Sequence, residues 1–168
     1  FQNKTYKVTA LADSCFFGAK NLTSVVLPEG LSAIPKHAFN MNLAYKETSS
    51  LKSITIPSTV TTIGQYAFNY CDSVKNFVLP EALTTIEANA FSQCLSLESI
   101  EIPAGVTTLP TYAFNYCSAL RNVTFKGAVT KMGTNVFYRC QSLESIELPE
   151  SLTEIPGYAF GSCTSLKE

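Results

Sequence analysis

Six cysteines are the residues of this chain with the clearest capacity for chemistry. Cys15 stands apart, and the other five recur at a constant interval, at Cys71, Cys94, Cys117, Cys140 and Cys163. Zinc knuckles and redox pairs need two cysteines separated by two to four residues, and this sequence has no such pair. If the segments that carry these cysteines stack on one another, the sulfurs form a column with nearly parallel Cβ vectors. That arrangement disfavours disulfide geometry. We therefore expect reduced thiols buried beside phenylalanine.

Acid-base catalysis also has little support. The only histidine, His37, stands at a repeat position that Tyr66, Tyr112 and Tyr158 fill in other copies, so we expect a surface or flank residue. Glutamates on strands two repeats apart would lie about 10 Å from each other, which is too far for a tight acid pair. Motifs for a serine nucleophile or for phosphate binding are missing. The sequence predicts a protein that is not an enzyme and uses no cofactor or metal.

The spacing of the cysteines reflects a repeat that organises the whole chain. The template, residues 51–73, reads LKSITIPSTVTTIGQYAFNYCDS, and further copies begin at Val74, Leu97, Leu120 and Leu143. A fixed period between 20 and 50 residues indicates a solenoid, in which each repeat forms one coil. A lone coil cannot bury enough apolar surface to offset its ordering entropy, so we expect stability to come from stacked neighbours.

Residues 1–168 are predicted to form a single array with irregular ends. A partial coil covers residues 1–21, a coil extended by six residues begins at Leu22, and a truncated coil begins at Leu166. Neither end has the polar cap that a soluble solenoid needs, so we expect either a piece of a longer array or ends that are covered by something else. The insertion in the Leu22 coil predicts either a binding loop at residues 42–50, with Tyr45, Lys46 and Glu47 at its tip, or a tolerated surface insertion.

Each repeat contains three predicted segments. The SITI segment alternates with period two and is β-branched, so it predicts a strand, which Pro57 ends. The following VTTI predicts an extended run or a short second strand. Ala67, Phe68 and Cys71 then share one face of a single helical turn. The fold class is α/β, with strands on one side and helical turns on the return side.

One phenylalanine per coil is predicted to point inward and to stack on its counterparts. The members of this spine are Phe16, Phe39, Phe68, Phe91, Phe114, Phe137 and Phe160.

Composition excludes several classes of protein. A hydrophobic content of 46% excludes a disordered chain. A net charge of −1 gives no electrostatic attraction for nucleic acid or acidic lipid. No apolar run is long enough to predict membrane insertion. The first seven residues are polar and lack the apolar region of a signal peptide.

The pattern LxxIxIPxxVxxIxxxAFxxCxx resembles the BspA-like, or treponemal-type, leucine-rich repeat over essentially the whole chain. Lys126 in the proline slot and Val136 in the alanine slot depart from it in a single coil. The resemblance implies a right-handed leucine-rich repeat solenoid with a parallel sheet on one face. It also implies a bacterial surface or secreted protein that attaches to host proteins, other microbes or matrix components.

The outward-facing surface of the first strands, here called the strand face, is the predicted binding surface. Its small polar side chains form columns along successive coils and leave the backbone accessible to an extended protein partner. Its residues are Lys52, Ser53, Thr55, Lys75, Asn76, Val78, Glu98, Ser99, Glu101, Arg121, Asn122, Thr124, Glu144, Ser145 and Glu147. Ordinary exposed strands carry similar residues. A rival surface is the tyrosine flank of the return side, formed by Tyr70, Tyr116 and Tyr138, since aromatic residues are enriched at interfaces.

Two functions from different classes remain open. The first is an extracellular or cell-surface recognition module whose strand face binds a protein or glycan. The second is a structural spacer that holds another domain away from a surface and has no ligand of its own. Neither function involves nucleic acid or membrane insertion by this segment.

Overall fold

Short parallel strands, connected by extended and turn segments, make up the fold. The computed structural model describes residues 7–42 and 49–167. Its strands are β1 (Ser24–Val26), β2 (Ala33–Ile34), β3 (Ser53–Thr55), β4 (Thr62–Ile63), β5 (Thr85–Ile86), β6 (Ser99–Ile102), β7 (Thr108–Leu109), β8 (Asn122–Phe125) and β9 (Lys131–Met132). Within these ranges no helix has the length and hydropathy that a membrane crossing requires.

The SITI segment and three of its equivalents form first strands, as predicted, whereas the equivalents at residues 76–79 and 145–148 do not. β1 pairs in parallel with β3, and β6 pairs in parallel with β8. Ile54 is buried in β3 while Ser53 and Thr55 on either side of it are exposed, in agreement with the period-two alternation. The register places Ile100 opposite Val123, its equivalent in the next copy, so the repeat period is also the pairing period.

The VTTI segment forms the short second strand. β2, β4 and β5 pair in parallel in that order, and β7 pairs with β9. Ile34 and Ile63 are fully buried and lie opposite each other. The second strand therefore adds a buried residue to the core, beside the residues from the first strand.

The return side contains turns, so the prediction of a helical turn is wrong. The amides of Tyr66, Phe68 and Tyr70 donate to carbonyl oxygens of the following coil at 3.2, 2.8 and 3.0 Å. The amides between them donate three residues back within their own coil. An α-helix would direct every amide to the carbonyl four residues earlier and would leave none for the next coil. Tyr66 and Tyr70 adopt left-handed conformations, with φ of 58° and 60°.

The phenylalanine spine is confirmed. Consecutive ring centroids from Phe16 to Phe160 lie 4.9, 5.5, 5.4, 5.3, 5.6 and 5.5 Å apart, and each pair is stacked. The five central rings are fully buried, and the two terminal rings are half-buried because, within the described residues, each has a spine neighbour on one side only. Phe77, from the first segment of its coil, adds contacts to Phe68 and Phe91 at 4.9 and 5.0 Å.

Glycine at position 133 permits two coils to approach closely. A Cβ atom there would clash with the amide nitrogen of Thr111 and would lie 2.8 Å from the carbonyl carbon of Pro110. Because both atoms belong to the backbone, Gly133→Ala must push the two coils apart. We expect the substitution to lower the free energy of unfolding, measured by urea denaturation, by about 1–3 kcal/mol.

Gly157→Ala is the matched control, because a Cβ atom at that position meets nothing within 4 Å. Alanine there should be neutral or stabilise the chain by up to about 1 kcal/mol, since it restricts the unfolded state. Equal losses from the two substitutions would show that coil contact at Gly133 does not limit stability.

Candidate recognition face

The predicted strand-face residues lie in the described part of the chain and project outward from it. All fifteen are exposed except Ser99, which is half-buried. The register joins the columns across coils, since Ser99 lies opposite Asn122 and Glu101 lies opposite Thr124. The side chains of Ser99 and Asn76 also connect two coils, because the Ser99 hydroxyl donates to Asn76 Oδ1 at 2.7 Å.

Charges on this face are paired between neighbouring coils. Lys75 Nζ lies 2.9 Å from Glu98 Oε1, and Lys126 Nζ lies 3.1 Å from Glu101 Oε2. The hydrogen bond and charge of Lys75 hold the pKa of Glu98 below its usual range. Such exposed pairs contribute about 0–1 kcal/mol to stability, so their main effect is to neutralise glutamates of the face.

Lys126 is a residue that the column prediction missed. It occupies the slot in which other coils carry proline, immediately after the strand. A lysine there can reach back to the glutamate on the strand of the preceding coil, as the contact with Glu101 shows. A third pair, Lys167 with Glu144 at 3.2 Å, joins the last two coils. Glu147 is the one carboxylate of the predicted columns with no ion pair within the described residues.

The strand ladder of this face is interrupted, so the predicted parallel sheet consists of separate strand pairs. β3 is not paired with the coil that follows it, and the next two coils are joined by a single bridge between Asn76 and Ser99. In the described chain, no backbone hydrogen bond joins residues 121–127 to residues 144–150. A groove of about 640 Å³ opens at this second interruption, lined by residues 122–127 and 145–150.

The cysteine column is buried, with the prediction confirmed for its central members. Cys71, Cys94, Cys117 and Cys140 are buried, and each thiol donates to the carbonyl oxygen of the spine phenylalanine one coil back, at 3.2–3.3 Å. Burial raises the pKa of all four thiols. These cysteines therefore hold coils together as hydrogen-bond donors and are poor nucleophiles.

The two end cysteines differ. Cys163 is half-buried and still donates to Phe137 O at 3.1 Å. Cys15 is exposed, so the prediction of burial is wrong for this residue. Its alanine counterparts, such as Ala67, are covered by coils on both sides, whereas in the described chain only the following coil packs against Cys15. All six cysteines are free.

His37 lies on the flank, as predicted from its tyrosine counterparts. Its ring stacks on Tyr66 with centroids 5.0 Å apart and planes at 1°. The side-chain amide nitrogen of Asn40 lies 2.7 Å from His37 Nδ1. Burial and then the charge of Lys36 lower the pKa of His37. Within the described residues, no group of three or more histidine, cysteine, aspartate or glutamate side chains could hold a metal ion.

The rival tyrosine flank includes a cation that the sequence analysis did not assign to it. The Tyr116 and Tyr138 rings meet edge to face at 5.8 Å, and the Arg139 guanidinium lies over them at 4.9 and 5.6 Å. A hydrogen bond from Arg139, with a further one involving Ser162, lowers the pKa of Tyr138. Arg139 is the equivalent of Tyr116 in the next copy, so the repeat alone identifies it as a member of this flank.

The predicted binding loop lies mostly outside the described residues, including Tyr45, Lys46 and Glu47 at its tip. Its exit is described. The amide of Ser49 donates to Asp72 Oδ1 at 2.8 Å, and the hydroxyl of Ser73 donates to the Ser49 carbonyl oxygen. Burial raises the pKa of Asp72. The end of the following coil therefore anchors the point at which the inserted segment rejoins the solenoid.

Comparison with protein families gives one clear match. The family described as "BspA type Leucine rich repeat region" matches the chain in six copies, over residues 3–49 and 41–167. Comparison with curated protein sequences gave no match.

Solved structures of bacterial leucine-rich repeat proteins share the fold. A protein from Bacteroides ovatus is 30% identical, with a TM-score of 0.87 over 99% of this chain. A protein from Eubacterium ventriosum is 29% identical, with a TM-score of 0.77 over 94% of this chain. This chain spans 42% and 41% of the length of those two proteins. A leucine rich cell surface protein from Faecalibacterium prausnitzii, 24% identical, has the same fold with a TM-score of 0.51 over 92% of this chain and 61% of its own.

Proposed function

We propose that this chain, which belongs to the family of BspA-type leucine-rich repeat proteins, is a non-catalytic recognition module that binds a protein or glycan through its strand face. The observation that carries the proposal is the exposure of contiguous small polar and charged side chains along successive coils, above a fully buried core. We place the module outside the cell or on its surface, which is where the family resemblance assigns such repeats.

The size of the face supports a protein partner. Six first-strand segments at about 4.8 Å each give a surface roughly 24–29 Å across. A standard interface buries about 800 Å² per partner and uses about 20–30 residues. The fifteen predicted residues and the adjoining bends reach the lower end of that number. The charged side chains of the face favour a partner with a complementary pattern of charge.

Charge reversal tests the face once a partner has been captured from a candidate host or microbial extract. We expect Lys52→Glu, Lys75→Glu and Arg121→Glu together to change the association rate by about tenfold at low ionic strength, because exposed charges mainly steer encounter. The thermal unfolding midpoint should move little, since the ion pair lost, between Lys75 and Glu98, is an exposed one. Stopped-flow or surface-based kinetics at two salt concentrations measure the rate.

The tyrosine flank supplies the comparison. Tyr116→Ala and Tyr138→Ala should leave the association rate unchanged if the strand face is the site. Binding that ignores the charge reversals and is lost with the tyrosine substitutions would move the site to the return side. Capture of no partner by a correctly folded chain would favour the spacer function.

A further inference from the structure

We propose that the groove between β8 and residues 145–150 takes up an extended, basic segment of the partner protein as an added strand. This inference rests on the proposed recognition function and names the chemistry of the segment recognised.

The backbone of β8 is satisfied on one side only. The amides of Asn122 and Lys126 donate toward β6, to Glu98 O at 3.4 Å and Ile102 O at 2.9 Å. In a parallel ladder, alternate residues direct both of their backbone groups to the same neighbour. The backbone groups of Val123 and Phe125 therefore point toward residues 145–150, to which no backbone hydrogen bond is made in the described chain. An unpaired edge of this kind is a template for another strand.

The two coils stay joined around the groove, on the return side and at both ends of residues 144–150. The amides of Phe137 and Arg139 donate to Ala159 O and Gly161 O, both at 2.8 Å. The rings of Phe137 and Phe160 remain stacked at 5.5 Å. The amide of Ser142 donates to Ser118 O at 3.1 Å, and the hydroxyl of Ser151 donates to Val129 O at 2.8 Å. The last coil is thus positioned by its return side, its spine and both ends of its first segment, while residues 144–150 make no backbone hydrogen bond to β8 in the described chain.

Apolar side chains line the inner wall of the groove. Phe125 fills a slot that Ile102 occupies one coil earlier, and it is half-buried where Ile102 is fully buried. Ile146 and Leu148 on the opposite wall are half-buried as well. An incoming strand would cover these side chains with its own apolar residues and leave its alternate side chains at the rim.

The groove has a size suited to a short strand. Its volume of about 640 Å³ lies within the 300–1,000 Å³ typical of ligand sites. β8 contains four residues, Asn122 to Phe125, and at about 3.3 Å per residue it can pair with roughly 13 Å of extended chain.

The rim selects for basic side chains. Glu147 and Glu150 line the groove, and neither has an ion pair within the described residues. The lysine of the rim, Lys126, is engaged by Glu101 at 3.1 Å. The charges left to meet an occupant are therefore negative. Lysine or arginine at alternate positions of an added strand would project toward them.

A short synthetic peptide tests the inference directly. The probe is the capped hexapeptide Lys-Thr-Lys-Val-Lys-Thr, titrated against the folded chain by calorimetry or fluorescence anisotropy. We expect saturable binding that falls at least tenfold when alternate amides of the peptide are N-methylated, because methylation removes the strand donors and retains the charge. Equal binding of the methylated peptide, or no binding at millimolar concentration, would overturn the inference.

A matched pair of variants separates the groove from general attraction. Glu147→Gln with Glu150→Gln should weaken binding about tenfold. Glu81→Gln with Glu154→Gln removes the same charge from positions outside the groove and should leave affinity unchanged. Equal losses in the two double variants would reduce the effect to long-range electrostatics and overturn the inference. A further outcome is that the peptide fails to bind while binding of a captured protein is still weakened by the substitutions at Lys52, Lys75 and Arg121. That outcome excludes the groove and leaves the proposed function standing.

Discussion

Replacing Phe114 with alanine is expected to lower the free energy of unfolding by roughly 3–5 kcal/mol. The Phe114 side chain is fully buried, and its ring centroid lies 5.3 Å from that of Phe91 and 5.6 Å from that of Phe137. Alanine would therefore leave a cavity between two rings whose positions are fixed by their own coils. Because the stability of a solenoid depends on contacts between neighbouring coils, a cavity at this position weakens two of those interfaces.

Urea denaturation followed by circular dichroism measures this change. Phe17→Ala is the control, since Phe17 lies outside the spine, is 47% exposed and makes an edge contact with the His37 ring at 6.4 Å. We expect the Phe17 variant to lose less than about 1 kcal/mol. Similar losses for Phe114→Ala and Phe17→Ala would contradict the spine as the main source of stability.

Thiol reactivity should differ by orders of magnitude between cysteines of the same chain. Denatured protein should titrate six thiols, whereas native protein should react quickly at Cys15 and more slowly at the half-buried Cys163. The four buried thiols should react at least about a thousandfold more slowly than Cys15, because the reagent reaches them only in transiently unfolded molecules. Their raised pKa values act in the same direction, since less of the reactive thiolate is present at a given pH.

Mass spectrometry after brief alkylation locates the reacted thiols. Cys15→Ser should remove the fast phase of the native reaction and leave the slow phase unchanged. A native mass two hydrogens lower for each pair of cysteines would indicate disulfides and would contradict the free thiols of this column.

The repeat period was sufficient to predict the core. Residues that stand one period apart occupy equivalent sites in successive coils, so one inward slot, such as that of Phe68, predicts all the others. The same reasoning placed the cysteine column and the outward columns of the strand face. It failed at Cys15, where an equivalent slot has a neighbouring coil on one side only in the described chain. It failed also at Ile155, which was predicted to point inward like its equivalent Ile63 and is 58% exposed.

The return side could not be predicted because two structures share its spacing. Ala67, Phe68 and Cys71 fit one face of a helical turn, and they fit equally well a turn whose alternate amides bond to the next coil. Only the partners of those amides distinguish the two, and the carbonyl oxygen that accepts from the Phe68 amide is that of Ala90, in the following coil. A pattern found within one repeat contains no information about hydrogen bonds between repeats.

The details of the candidate site also depend on contacts between coils. The ion pair of Lys126 with Glu101 and the groove beside β8 both arise in the coil that departs from the consensus at Lys126. The sequence shows that departure, but it does not show the contacts between the two coils. The strand-face residues could thus be named in advance, whereas their pairing and the interruption between them could not.

Carboxylate labelling of the chain with and without its captured partner tests the recognition face most directly. Carbodiimide coupling followed by mass spectrometry reports the accessibility of each glutamate. We predict that partner binding protects Glu98, Glu101 and Glu147 and leaves Glu81 and Glu154 as reactive as in the free chain. Unchanged labelling of the strand-face glutamates in the saturated complex would contradict a recognition module that binds through its strand face.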